Sequence, residues 1–157
     1  MSRILHHSVQ LPCSRPQAFE MFTVSEKLAT WLTEAADVEP TEGGKYELFW
    51  DPSDRENNST IGCKVTAVEP GKLLAFDWKG PVQFRDVMNH EGRLTHVTVF
   101  FTPADDAAPQ PTEVHLIHSG WGDTDEWEQA RQWFQRAWGG AFESLRRGMS
   151  PAGAETE

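Results

Sequence analysis

From Arg3 to Leu11 the chain alternates, with Leu5, His7, Val9 and Leu11 on one side and Ile4, His6, Ser8 and Gln10 on the other. A period of two puts successive side chains on opposite faces, so this segment reads as a strand with one face buried. Pro12 ends it. Ser14, followed by Arg15 and Pro16, has the chemistry of a helix start, and Ala18, Phe19, Met21 and Phe22 supply the apolar side. Ser25 is placed to cap a second short helix carrying Leu28, Trp31 and Leu32. Alternation then returns. In Lys45 to Asp51, Tyr46, Leu48 and Trp50 oppose Glu47, Phe49 and Asp51. Thr60 to Val68 sets Ile61, Cys63, Val65 and Ala67 on one face. Leu74, Phe76 and Trp78 alternate with Ala75 and Asp77, and His96 to Thr102 and Glu113 to Ser119 complete the series. Polar or turn-forming stretches separate these runs at Pro52 to Ser59, Pro70-Gly71 and Pro103 to Pro111, which is the pattern of an antiparallel meander.

The longest helical period lies near the C-terminus. Trp127, Ala130, Phe134, Trp138, Ala141 and Leu145 recur at spacings of three and four. Thr124 or Asp123 caps this helix, acidic residues occupy its first turn, Arg146 and Arg147 its last, and Gly148 is the expected stop. So wide an aromatic face needs a concave partner, which a curved sheet supplies. The expected fold is therefore α+β and of the helix-grip kind: a curved antiparallel sheet of about six to seven strands, in the order β-α-α-β-β-β-β-β-α, around a long C-terminal helix. Residues 1–149 form one domain, with 150–157 a disordered tail. Lys79 to Arg93 contains Val82, Phe84, Val87 and Met88 and is long for a link, so it reads as a lid over one end of the sheet. Gly139-Gly140 interrupts the helix at a cost of about 1 kcal/mol per glycine relative to alanine. It implies a kink, close packing against the sheet, or room for a ligand.

Composition narrows the function. The chain has 157 residues and a net charge of −10, which excludes the counterion-displacing surface of a nucleic-acid binder and disfavours anionic membranes. No stretch is apolar enough for a membrane span, and the N-terminal residues lack the run of a signal peptide, so a cytoplasmic location is expected. The two cysteines, Cys13 and Cys63, lie in different segments. Cys63 reads as a small core residue, Cys13 as a turn residue with a reactive thiol as the alternative. Neither the six histidines nor the cysteines form a metal-ligand motif: His6 and His7 diverge on a strand, and so do His115 and His118. No metal or other cofactor is expected. Seven tryptophans stand against one tyrosine, and tryptophan suits both cores and ligand cavities.

The order of elements resembles the START-like, or Bet v 1-like (SRPBCC), superfamily. More narrowly, several segments resemble the family named after the activator of Hsp90 ATPase. Ser14-Arg-Pro-Gln-Ala-Phe19 resembles its opening helix, Trp31 the end of its second helix, and Gly43-Gly44-Lys-Tyr46 its glycine-led strand. Gly62-Cys-Lys-Val65, Val68-Glu-Pro70 and Leu74-Ala-Phe76-Asp-Trp78 resemble its paired central strands. Thr112 to Trp121 resembles its final strand and Trp138 to Leu145 its terminal helix. The resemblance runs from about residue 5 to residue 148 and implies the fold. Members include lipid carriers, polyketide cyclases, hormone receptors, resistance proteins and co-chaperones, so the fold does not choose among them, and a stress-response role is one of the expectations it allows. Many members carry Gly-Trp inside the last helix, where this chain has Trp138-Gly139-Gly140.

The reading with most support is a small hydrophobic ligand-binding or sequestering protein, its partner a hydrophobic or aromatic molecule. The candidate ligand-binding residues are Tyr46, Trp50, Phe76, Trp78, His118, Trp121, Phe134 and Trp138. Trp121 either guards the cavity mouth or packs on the helix start. The alternative is a cyclase or dehydratase on a polyketide-like substrate, with His7 and His118 as candidate acid–base groups; Tyr46, Asp77 and Arg85 are further inward candidates. A third reading, implied by the resemblance, is a protein that modulates an Hsp90-type ATPase. A homodimer is compatible with each reading.

Overall fold

The computed structural model describes residues 3–104 and 111–149. The expected tail at 150–157 lies outside the described residues. Strand β1 (Leu5–Leu11) leads into helices α1 (Arg15–Thr23) and α2 (Ser25–Leu28). Strands β2 (Ala35–Val38), β3 (Tyr46–Phe49), β4 (Val65–Glu69) and β5 (Leu73–Trp78) follow. A 3-10 turn (Val82–Phe84) and the short helix α3 (Arg85–Met88) precede β6 (Thr95–Pro103) and β7 (Thr112–Ser119), and α4 (Asp125–Met149) closes the described chain.

The main sheet has five strands in the order β1-β7-β6-β5-β4, so the last four strands form the meander and the first strand closes on the last. Every pair is antiparallel, with Leu5 opposite His118 and Leu11 opposite Thr112 at one edge. The inward face is dry: Leu11, Leu74, Val97, Val99 and Leu116 are fully buried. β2 and β3 form a separate two-stranded sheet, joined to the segment before β4 by bridges at Lys45–Lys64 and Phe49–Ser59. Helix α4 lies across the concave face, and α1 and α2 plug one end through Phe22, whose ring meets Trp31 at 4.9 Å and Phe101 at 5.5 Å.

Helix starts follow local chemistry. Ser14 Oγ accepts from the Gln17 N–H while Gln17 Oε1 accepts from the Ser14 N–H, a reciprocal cap that satisfies two otherwise orphaned donors. Thr124 caps α4, its Oγ1 accepting from the Trp127 N–H at 3.3 Å. Ser25 does not cap α2: it is the first helical residue, behind Val24, and Trp31 and Leu32 lie beyond the helix end. Gly148 does not stop α4, which runs on to Met149.

The strand expected over Thr60 to Val68 begins only at Val65. Before it, Thr60 Oγ1 accepts from the Leu48 N–H and donates to the Tyr46 carbonyl, taking the place of a neighbouring strand's backbone. Gly62 adopts φ +86°, a left-handed conformation favouring glycine. The buried stripe of α4 is Trp127, Ala130, Phe134, Trp138, Phe142 and Leu145, with Phe142 taking the place given to Ala141. Gly139 and Gly140 both face solvent, and a Cβ on either would touch nothing within 4 Å. They neither pack closely on the sheet nor open space for a ligand on their own face.

Candidate functional site

A cavity of about 360 Å³ lies between α4 and the β5 end of the sheet, within the size range of small-molecule sites. Helix α4 contributes Trp133, Phe134, Ala137, Trp138 and Ala141. The end of β5 contributes Trp78, continued by Lys79, Gly80 and Pro81. Trp50 and Leu32 form the opposite wall, and Asp51, Asn58, Ser59 and Gln83 line its polar edge. The indole planes are fixed by specific bonds. Trp50 Nε1 donates to the Leu32 carbonyl at 2.8 Å, and Trp138 Nε1 donates to His118 Nδ1 at 3.0 Å. Trp78 sits between them, its ring 5.9 Å from Trp50 and 5.2 Å from Trp138. Its own indole N–H is buried and has no hydrogen-bond partner.

The segment from Gly80 to Met88 is pinned over the mouth. The Asn89 side chain accepts from the Gly80 N–H and donates to the Gly80 carbonyl. Asn58 Oδ1 accepts from the Val82 N–H at 2.9 Å, tying this segment to the loop before β4. Phe84 packs edge-on against Trp133 at 6.1 Å. A Cβ on Gly80 would come within 2.4 Å of Met88 Sδ, so Met88 would have to shift to admit any larger residue there.

His118 lies behind the cavity wall and not on it. It is fully buried, ringed by Trp121 at 4.3 Å and Phe134 at 5.2 Å. Because Trp138 donates to Nδ1, the proton resides on Nε2, which donates to Thr95 Oγ1 at 2.9 Å. Both nitrogens are satisfied. Burial, reinforced by His96 and His7, pushes the imidazole well below its ordinary value, so it stays neutral. His7, half-buried on β1, packs edge-on against Phe142 at 6.3 Å. Its Nε2 is buried without a partner, and burial together with His6 also lowers its pKa.

Of the candidate ligand-binding residues, Trp50, Trp78, Phe134 and Trp138 line the cavity. Tyr46, Phe76, His118 and Trp121 are not among its lining residues. Tyr46 stacks on Phe76 at 3.8 Å and donates its hydroxyl to the Phe22 carbonyl at 2.7 Å, so the pair fills the core. Burial drives the Tyr46 hydroxyl pKa up, which removes it as a proton donor at neutral pH. Trp121 donates to the His118 carbonyl at 3.0 Å and packs edge-on on Trp127, which places it at the start of α4 and away from the mouth. Asp77 alternates away from Phe76 and Trp78, opposite His96. Arg85 points outward to Asn57 Oδ1. Burial raises the Cys13 thiol and pushes Cys63 up to about 12, so neither is an activated thiolate. Among the described residues no group of three or more His, Cys, Asp or Glu is arranged to hold a metal ion, and no helix is long and apolar enough to cross a membrane. The periodicity did not single out Trp133, Lys79, Gln83 or Ala137 as lining residues. Only the length of the segment after β5 pointed towards the mouth.

A family model described as activator of Hsp90 ATPase homolog 1-like protein matches residues 12–149. Comparison with curated proteins finds no significant match. Among solved structures, a protein from Mesorhizobium loti is 21% identical with a TM-score of 0.70, covering 92% of this chain and 95% of its own. The Aha1 dimer from Colwellia psychrerythraea is 16% identical with a TM-score of 0.67, covering 95% of this chain and 97% of its own. DynU16, a protein in the dynemicin biosynthetic locus, is 18% identical with a TM-score of 0.63, covering 95% of this chain and 48% of its own.

Proposed function

The chain belongs to the activator of Hsp90 ATPase homolog 1-like family, and from that premise we propose that it binds a small, largely apolar ring compound in the cavity under α4. The observation that carries this reading is the cavity itself, about 360 Å³ and walled by four of the seven tryptophans. Two of those rings, Trp50 and Trp138, are fixed in place by bonds to the Leu32 carbonyl and to His118. Mostly apolar walls with a few polar groups at one edge are the usual make-up of a small-molecule site.

Tryptophan fluorescence tests this directly. A panel of flat apolar compounds should give saturable quenching, and Ala137→Phe, which adds a ring to the cavity wall, should remove it while the fold persists. Absence of saturable quenching across the panel would defeat the reading. The cyclase or dehydratase reading needs polar groups converging on a substrate. It has less support, because His118 has both nitrogens engaged and neither it nor His7 lines the cavity. Homodimerisation and chaperone contact rest on likeness alone, the Colwellia relative being a dimer. Sedimentation, and ATPase assays on mixing with an Hsp90-type chaperone, test them. The cytoplasmic location expected from the N-terminal sequence belongs to this proposal as well.

A further inference from the structure

The face of the main sheet turned away from α4 brings together two histidines that lie 109 residues apart in the chain. In the register of β1 and β7, His6 stands opposite Ile117 and His115 opposite Ser8. The two are therefore diagonal neighbours on one face, within reach of each other's rings. His6 Nε2 lies 3.0 Å from His115 Nδ1, the ring centroids are 5.2 Å apart and the ring planes differ by 20°. Both rings meet solvent: His6 is exposed, and the His115 side chain keeps 30% of its surface open.

The tautomer follows from a third residue. Glu113 Oε1 lies 3.4 Å from His115 Nε2. A carboxylate only accepts, so the proton of the neutral His115 ring belongs on Nε2. Nδ1 then carries a lone pair and accepts from the His6 Nε2–H. A carboxylate behind the far nitrogen is the arrangement that orients an imidazole towards a metal and raises its basicity. The spacing agrees. Two nitrogens each about 2.1 Å from one ion and at right angles to each other are about 3.0 Å apart, whereas a tetrahedral angle separates them by about 3.4 Å. Right angles belong to the tetragonal sites that Cu2+ and Ni2+ form with nitrogen and oxygen ligands. The register neighbours Ser8, Ile117 and Phe100 carry no charge, and the protein as a whole carries −10, so no basic group beside the pair repels a cation.

We propose that His6 and His115 form a site for a divalent transition-metal ion of the copper or nickel kind, the ion taking the place of the proton between them and water filling its remaining positions. Both rings stay neutral: the His6 proton moves from Nε2 to Nδ1 through solvent, and both lone pairs face the ion. The ion ties the first strand of the sheet to the last, on the side opposite the cavity. The test titrates the full chain, without an affinity tag, with Cu2+ and with Ni2+ at neutral pH in a buffer that does not bind metals. Calorimetry should show one ion per chain, Cu2+ the tighter. Electron paramagnetic resonance of the Cu2+ form should show coupling to two imidazole nitrogens. His6→Gln and His115→Gln should each weaken uptake by roughly tenfold or more, and Glu113→Gln by roughly tenfold with both nitrogens retained in the spectrum. His90→Gln, which removes an exposed histidine elsewhere, should leave uptake unchanged. Saturating Ni2+ should raise the Tm of the wild type and not that of His115→Gln. Circular dichroism should report the same fold for every variant, since none of these side chains is in the core. Absence of stoichiometric uptake, uptake that survives His115→Gln, or a spectrum with a single nitrogen would each overturn the proposal, and none of them bears on the cavity.

Discussion

Acidification should destabilise this protein through His118, and the size of the effect follows from its surroundings. The imidazole is fully buried, accepts from Trp138 at Nδ1 and donates from Nε2 to Thr95. Protonating Nδ1 would set an N–H against the Trp138 N–H inside an aromatic shell. The folded state therefore keeps the ring neutral well below its ordinary 6.5. The unfolded chain takes up a proton near that value, so below it the unfolded state binds one proton more than the folded state. Stability then falls as pH falls, by about 1.4 kcal/mol per pH unit, as long as the pH stays above the depressed folded value. Between pH 7.5 and 5.5 the loss due to His118 is about 1.4 kcal/mol, or roughly 3–6 °C in Tm for a domain of this size. The carboxylates also titrate, so the informative quantity is the difference between wild type and His118→Gln. Glutamine keeps an acceptor and a donor but cannot take up the proton. Urea unfolding followed by circular dichroism at the two pH values should show the stability gap between the proteins narrowing by this amount on acidification. A gap that stays constant would refute the account of His118 as a buried neutral node.

Trp138→Phe removes the donor to Nδ1 and strands a buried acceptor, so it should cost at least about 1–3 kcal/mol in urea unfolding; a change within a few tenths would mean that the bond is not made. Gly122→Ala places a Cβ 2.4 Å from the Trp127 indole, a rigid neighbour, and should lower the urea midpoint by an overpacking cost of about 1–3 kcal/mol. Gly139→Ala and Gly140→Ala point into open solvent and should each raise stability by about 0.5–1 kcal/mol through helix propensity; loss of stability on either would show a contact that the structure does not contain.

Those positions mark how far the sequence could be read. The period of two in β1 and the three-four spacing of α4 are signals of burial, and burial on a curved sheet is what the fold requires. β2 gave no such signal: Ala35–Val38 is partly buried at every position, so no alternation exists to detect. Thr60 to Val68 misled because Thr60 substitutes a side-chain hydroxyl for a strand neighbour, which apolar spacing cannot reveal. The cavity was half legible. Trp50, Trp78 and Trp138 follow from their strand and helix faces, but Tyr46 and His118 share those faces and fill the core. Whether an inward residue meets a neighbour or a void depends on helix position, which is a tertiary fact. Lys79 was invisible for a related reason, since it stands one residue past β5, where alternation no longer says which way a side chain turns.

The glycine pair on the solvent side of α4 has a kinetic consequence. Ala137, Trp138 and Ala141 roof the cavity, and the two residues between them on the outside are those that hold a helix least firmly. A guest beneath that turn leaves past the exposed edge at Asp51 and Gln83, and the looser the turn, the wider that exit opens. With glycines at 139 and 140 that turn is held loosely. Residence time would then be written into the back of the helix, on residues that never meet the guest. Alanine at both positions would lengthen that time without changing the chemistry of the walls.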